Sequence, residues 1–139
     1  MIYLDTAAIV KLVRREPETT ELVAWLNERA DLPLVASVLV EVEVPRALRR
    51  SAPQGLIGVP ATLARLYRVE IDSAVRAVAG GYDDPMLRSL DAIHLATAEI
   101  LAGQPGAVFS AFVTYDRRLL DAAKGIGLPV ASPGVPSDP

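Results

Sequence analysis

The sequence contains no cysteine and a single histidine, His94. The first absence excludes a disulfide framework, thiolate zinc sites and cysteine nucleophiles together. The second excludes a metal site built on several histidines. No apolar run reaches the roughly 18 residues that a membrane-spanning helix needs, and no basic region leads an apolar signal core at the amino terminus. The expectation is a soluble, cytoplasmic protein with no membrane association. Lysine is nearly absent: of 14 basic residues only Lys11 and Lys124 are lysine, and the other 12 are arginine. Any catalysis must therefore run on carboxylates, hydroxyls, arginines or hard cations bound through oxygen.

What is present suits one compact domain, since 139 residues at 51% hydrophobic content can bury a sizeable core. A formal charge of -3 argues at first against a phosphate-rich partner. Arginine, however, is the side chain suited to bidentate phosphate contacts. If four of the 17 acids sat on a cation, the remainder would be slightly basic.

Along the chain, a short apolar run at 2–4 ends in Asp5, and a periodic helix at 7–13 follows with Asp5 or Thr6 as its N-cap. A second helix is expected over about 18–29 and a strand at 32–37. The stretch from 38 to 50 reads as a helix with Val40, Val44, Ala47 and Leu48 on one face, although its alternation at 38–44 also fits a strand and Pro45 interrupts it. Residues 51–59 read as a loop and 61–68 as a short helix, followed by a strand in "YRVEI". Asp72 or Ser73 caps the next helix, to about 79. The most apolar helix runs from Ser89 or Leu90 to 102, then the strand "AFVTYD", the helix "RRLLDAAKGIG" and a last strand "PVAS". Strands alternating with helices and no hairpin signals predict an α/β layered fold around a mainly parallel sheet.

In such sheets, ligands bind beyond the carboxyl ends of the strands, where strand order reverses. Asp5 and Asp116 each end a strand and open a helix. Asp91 lies in the first turn of the apolar helix, and Glu41 and Glu43 lie early in the helix after the second strand. Each has a plain reading when taken singly. Asp5 and Asp116 are N-caps worth about 1 kcal/mol, Asp91 favours the helix dipole, and Glu43 is a solvated helix residue. Together the four placements permit convergence, and carboxylates at the edge of apolar surroundings are costly unless something pairs with them. A hard divalent cation would do so, because Mg²⁺ and Mn²⁺ prefer carboxylate and water oxygens.

The stretches "MIYLDT", "SVLVEVEVPRALRR", "LRSLDAIHLATA" and "FVTYDRRLLDAAKGIGLPV" resemble, in order and spacing, the four motifs of PIN-domain ribonucleases, in particular the VapC-type toxins of toxin–antitoxin modules. The resemblance covers residues 1 to about 134, leaving 135–139 as a tail expected to be disordered. It implies a three-layer α/β/α fold, Mg²⁺- or Mn²⁺-dependent endoribonuclease activity on RNA, a homodimer, and a cognate antitoxin that blocks the site. Carried over by position, Asp5, Glu43, Asp91 and Asp116 are the implied catalytic and metal-holding acids, and Thr6 and Thr114 are hydroxyls beside the metal. Glu41 departs from the pattern as a second acid, and the spacing from Ser37 favours Glu43.

Arg46, Arg88 and Arg117 lie within a turn of the implied ligands, where an RNA backbone would pass; as charge runs they also fit solvated faces. His94 reads either as a core or rim imidazole bonded to backbone or as a contact behind the metal or to RNA, and stays outside the metal set. Trp25, with Leu22 and Leu26, is read as core or dimer contact and not as a base-stacking platform, since only 5% of the chain is aromatic. Two other classes compete: an inactive PIN fold kept for interaction, and a phospho-receiver module. The latter would need a paired acidic motif early and a lysine near the last strand, which this sequence lacks.

Overall fold

The computed structural model describes residues 1–136. Its elements follow in the order β1 (Ile2–Leu4), α1 (Thr6–Val13), α2 (Thr19–Asn27), β2 (Leu34–Ser37), α3 (Val40–Ser51), a 3₁₀ turn (Pro53–Gly58), α4 (Val59–Ala64), β3 (Tyr67–Val69), α5 (Ser73–Gly80), α6 (Ser89–Ala102), β4 (Ala111–Val113), α7 (Arg117–Gly125) and β5 (Val130–Ala131). The strands form one sheet in the order β3-β2-β1-β4-β5, and every neighbouring pair is parallel. The chain winds outward from β1 through β2 to β3, then crosses back to β4 and β5. The reversal of strand order therefore falls between β1 and β4.

Both faces of the central strands are buried, which explains why they read as apolar runs and not as alternating patterns. Ile2, Leu4, Ala36 and Val113 pack on one side with Ile9, Leu22, Val44 and Leu48 of the α1–α4 layer. Tyr3, Val35 and Phe112 pack on the other with Leu95, Ala98 and Leu119 of α6 and α7. This is the expected three-layer α/β/α arrangement.

The ambiguous stretch after β2 is helical, and the phase of burial shows why. Val40, Val44 and Leu48 are fully buried at helical spacing, while Val42, which a strand would place beside Val40 and Val44, is 62% exposed. Pro45 sits inside this helix. It withholds an N–H from the carbonyl of Glu41, four residues back, on an exposed turn where water can substitute. The loop expected at 51–59 is partly a 3₁₀ turn, and the helix expected at 61–68 spans Val59–Ala64 instead. Pro60 lies in its first turn, where a missing N–H costs nothing, and Tyr67–Val69 pairs with β2 at the sheet edge. After β5 the Val135 N–H donates to the Ser132 carbonyl and the Tyr115 hydroxyl to the Pro133 carbonyl. Of the tail expected to be disordered, 137–139 lie outside the described residues. No helix among the described residues is long and apolar enough to cross a membrane.

The phase of α3 is testable by stability. Leu48→Ala is expected to cost about 2–5 kcal/mol in urea unfolding, whereas Val42→Ala should stay within about 0.5 kcal/mol of the parent. Equal costs at the two positions would contradict the helical register.

Candidate active site

Asp5 follows β1 and caps α1: its Oδ1 accepts the Ala8 N–H at 2.9 Å. Its Oδ2 accepts the hydroxyl of Thr114, the residue after β4, which lies alongside because Leu4 and Val113 are in register. The Thr114 hydroxyl in turn accepts the Asp116 N–H at 3.1 Å. One fully buried hydroxyl thus ties together the two acids at the ends of β1 and β4. Asp116 caps α7, its Oδ1 accepting the N–H groups of Arg118 at 2.9 Å and Leu119 at 3.4 Å. Asp5 is only 3% exposed. Burial pushes its carboxyl above the usual range; the electrostatic influence of His94 and the bonds from Thr114 and Ala8 oppose the rise, and the nearby Asp116 adds to it.

Glu43 reaches the same place from the first turn of α3. Its Oε1 accepts the Thr6 hydroxyl at 2.7 Å and lies 2.7 Å from His94 Nε2. An ionised carboxylate only accepts, so Nε2 carries the proton of that contact. Burial by itself would raise the Glu43 carboxyl, but the bonds from His94 and Thr6, with the charge at His94, outweigh it and hold the group below the usual range. Glu41 turns away to an exposed ion pair with Arg68 at 3.0 Å. Asp91, in the first turn of α6, is pushed up by burial and by the charge of Asp116; His94 opposes that rise, Glu43 adds to it, and Arg88 opposes it.

Asp5, Thr6, Glu43, Asp91, His94 and Asp116 line one cavity of about 630 Å³ at the switch point of the sheet. A smaller adjoining cavity shares Asp91 and Asp116 and is lined by Arg88, Arg117 and Arg118. The structure thus gathers the four acids and Thr6 around one space, with Thr114 buried beneath them. Arg88 and Arg117 stand on one side, and Arg117 also pairs with Asp121 at 3.5 Å. Arg46 is exposed and lines neither cavity; Arg50, one helical turn further on, lines the larger one.

Lys11 and Tyr115 also line the larger cavity, and sequence reasoning missed both. The ammonium of Lys11 sits 4.7 Å above the Tyr115 ring and bonds Glu18 at 2.8 Å. A signal existed: Thr6, Ala7, Val10 and Lys11 recur at the spacing of one helix face. Chemically, the cavity offers oxygen donors to a cation and flanking cationic side chains to an anion. As the side chains stand, no group of three or more His, Asp or Glu among the described residues is arranged to hold an ion.

The chain is 52% identical over 134 residues to Ribonuclease VapC35 of Mycobacterium tuberculosis, covering 96% of this chain and 98% of that protein. It is 43% identical over 132 residues to Ribonuclease VapC46 of the same species, covering 95% and 97% respectively. A crystal structure of VapBC2 from Rickettsia felis, bound to a DNA fragment from its promoter, contains a chain of like fold. That likeness has a TM-score of 0.65 at 19% identity, over 94% of this chain and 98% of that one. The family model described as PIN domain matches residues 2–125. With that match over most of its length and such relatives over nearly all of it, the chain belongs to the PIN-domain family.

Proposed function

We propose that this protein is a metal-dependent endoribonuclease, the toxin of a toxin–antitoxin pair. One observation carries the reading: Asp5, Glu43, Asp91 and Asp116, from four separate elements, converge on a single cavity at the strand-order reversal. The names of the relatives, both ribonucleases, supply the substrate class. The donor set fits Mg²⁺ or Mn²⁺, which when bound lowers the pKa of a coordinated water and offsets charge on a phosphodiester under attack.

The chain's own residues divide the remaining work. Asp5, Glu43, Asp91 and Asp116 hold the cation, directly or through water, and Thr6 and Thr114 fix two of those carboxylates. Arg88, Arg117 and Arg118 stand beside Asp91 and Asp116, where they bind phosphate on one side of the scissile bond. Lys11 and Arg50 do so on the other. Single-stranded or looped RNA is the favoured substrate, since an A-form duplex hides its base edges. A cognate antitoxin is the partner, and an arginine from it, set among the four acids, replaces the charge of the cation.

Asp5→Asn should retain native far-UV circular dichroism and lose Mn²⁺-dependent cleavage of labelled RNA by about 100-fold or more. Unimpaired turnover would sink the assignment, as would cleavage by the wild type that persists in EDTA. A second expectation follows from the raised carboxyls. An acid whose pKa is higher folded than unfolded destabilises the fold once ionised, so stability falls as pH climbs from the ordinary value of 3.8 through the raised one. Asp91→Asn should therefore raise the thermal midpoint in EDTA at pH 7, with the gain fading toward pH 3.8. Added Mn²⁺ should stabilise the wild type more than the variant; equal stabilisation would count against Asp91 as a ligand.

A further inference from the structure

His94 has no part in the chemistry just described, yet it is 2% exposed and both of its ring nitrogens are engaged. Nδ1 lies 2.8 Å from the hydroxyl of Tyr3, and Nε2 faces Glu43 and, at 3.2 Å, Thr6. Tyr3 is itself fully buried and held on three sides. It stacks on Phe112 with ring centroids 5.1 Å apart and planes within 3°. It meets the imidazole edge-on at 6.0 Å, and its hydroxyl accepts the Ser37 N–H at 3.2 Å. The hydroxyl can donate to a bare Nδ1 or accept from a protonated one, so in either state Nε2–H points at Glu43. A line of satisfied polar contacts thus runs from the end of β2 through β1 and α6 to α3, and no buried side-chain nitrogen or oxygen among the described residues lacks a partner.

Glu43 is the acid that needs such support. Asp5 and Asp116 are fixed by N–H groups of the helices they cap, and Asp91 has a short side chain. Glu43 has a longer side chain with more rotamer freedom to lose. Both of its donors fall on Oε1, and Oε2 has no protein partner among the described residues.

We infer that His94 is a positioning residue: held at Nδ1 by Tyr3, it pins Oε1 of Glu43 through Nε2–H and so presents Oε2 to a divalent cation in the acidic cavity. The inference rests on the metal-centre reading above. It makes Tyr3 the anchor of one ligand, although its hydroxyl lies on the far side of the imidazole from the carboxylate.

The test is Mn²⁺ binding followed by electron paramagnetic resonance, in Tyr3→Phe, His94→Leu and His94→Gln, in the parent and in a Glu43→Gln background. Tyr3→Phe keeps the stacked ring and removes only the hydroxyl. It and His94→Leu should each weaken binding about tenfold or more, His94→Gln should recover most of the loss by restoring an N–H donor, and neither loss should appear once Glu43 is Gln. An equal loss in both backgrounds, or none in the parent, overturns the inference; if His94→Leu does not fold, the Tyr3→Phe pair decides it.

A metal-free arm uses the presence of only one histidine, which makes its ¹⁵N imidazole signals unambiguous. In EDTA, Glu43→Gln should shift Nε2 and Tyr3→Phe should shift Nδ1; no shift in either overturns the inference. A wild type that fails to bind Mn²⁺ would remove the metal centre itself while leaving those shifts unchanged, so the two readings fail separately.

Discussion

The structure depends on the pairing of β1 with β4. Strand order reverses there, so the loops that follow the two strands part to opposite layers and leave a crevice between them. The register of Leu4 on Val113 brings both strands to an end at one level. Asp5 then meets Thr114, whose hydroxyl reaches on to the backbone of Asp116. Each acid also caps the helix it opens. The cap sets the direction of the carboxylate, and the strand sets its height. Capping and ligation are therefore not rival accounts of these residues, because a carboxylate has lone pairs for both.

Gathering acids this closely has an electrostatic cost, and the structure distributes it unevenly. Asp5 and Asp91 are pushed up, by burial first and by neighbouring carboxylates after. Glu43 goes the other way because donors from Thr6 and His94 outweigh its burial. The site thus holds one carboxylate below the usual range beside two held above it, Asp5 among them although it accepts the Ala8 N–H and the Thr114 hydroxyl. The arginines stand to the side and not between the acids, so they moderate the field without filling the cavity.

Much of this was legible in the sequence. Apolar runs ending in an acid, followed at once by helical periodicity, marked β1 and β4 and their caps, and alternation of strand with helix gave the layered class. The 38–50 stretch read as a helix, with a strand at 38–44 left open because Val40, Val42 and Val44 also suit one face of a strand. Burial of Leu48 in phase with Val44 resolved it. Arg46 and Arg50 could not be ranked from sequence, since both lie on exposed turns of one helix and only the direction of α3 across the sheet puts Arg50 at the cavity.

Local sequence by itself determined which residues end strands, which cap helices and which kinds of chemistry are available, because these follow from side-chain type and short-range periodicity. Tertiary structure alone decided that His94 stands between Tyr3 and Glu43 and that Lys11 and Tyr115 share the rim, and it puts Glu43, which the spacing from Ser37 favoured, at the cavity while Glu41 pairs with Arg68 outside it. The partners in those contacts lie as far as 91 residues apart. Their meeting is set by strand order and by the angles at which helices cross the sheet, and no local pattern encodes either.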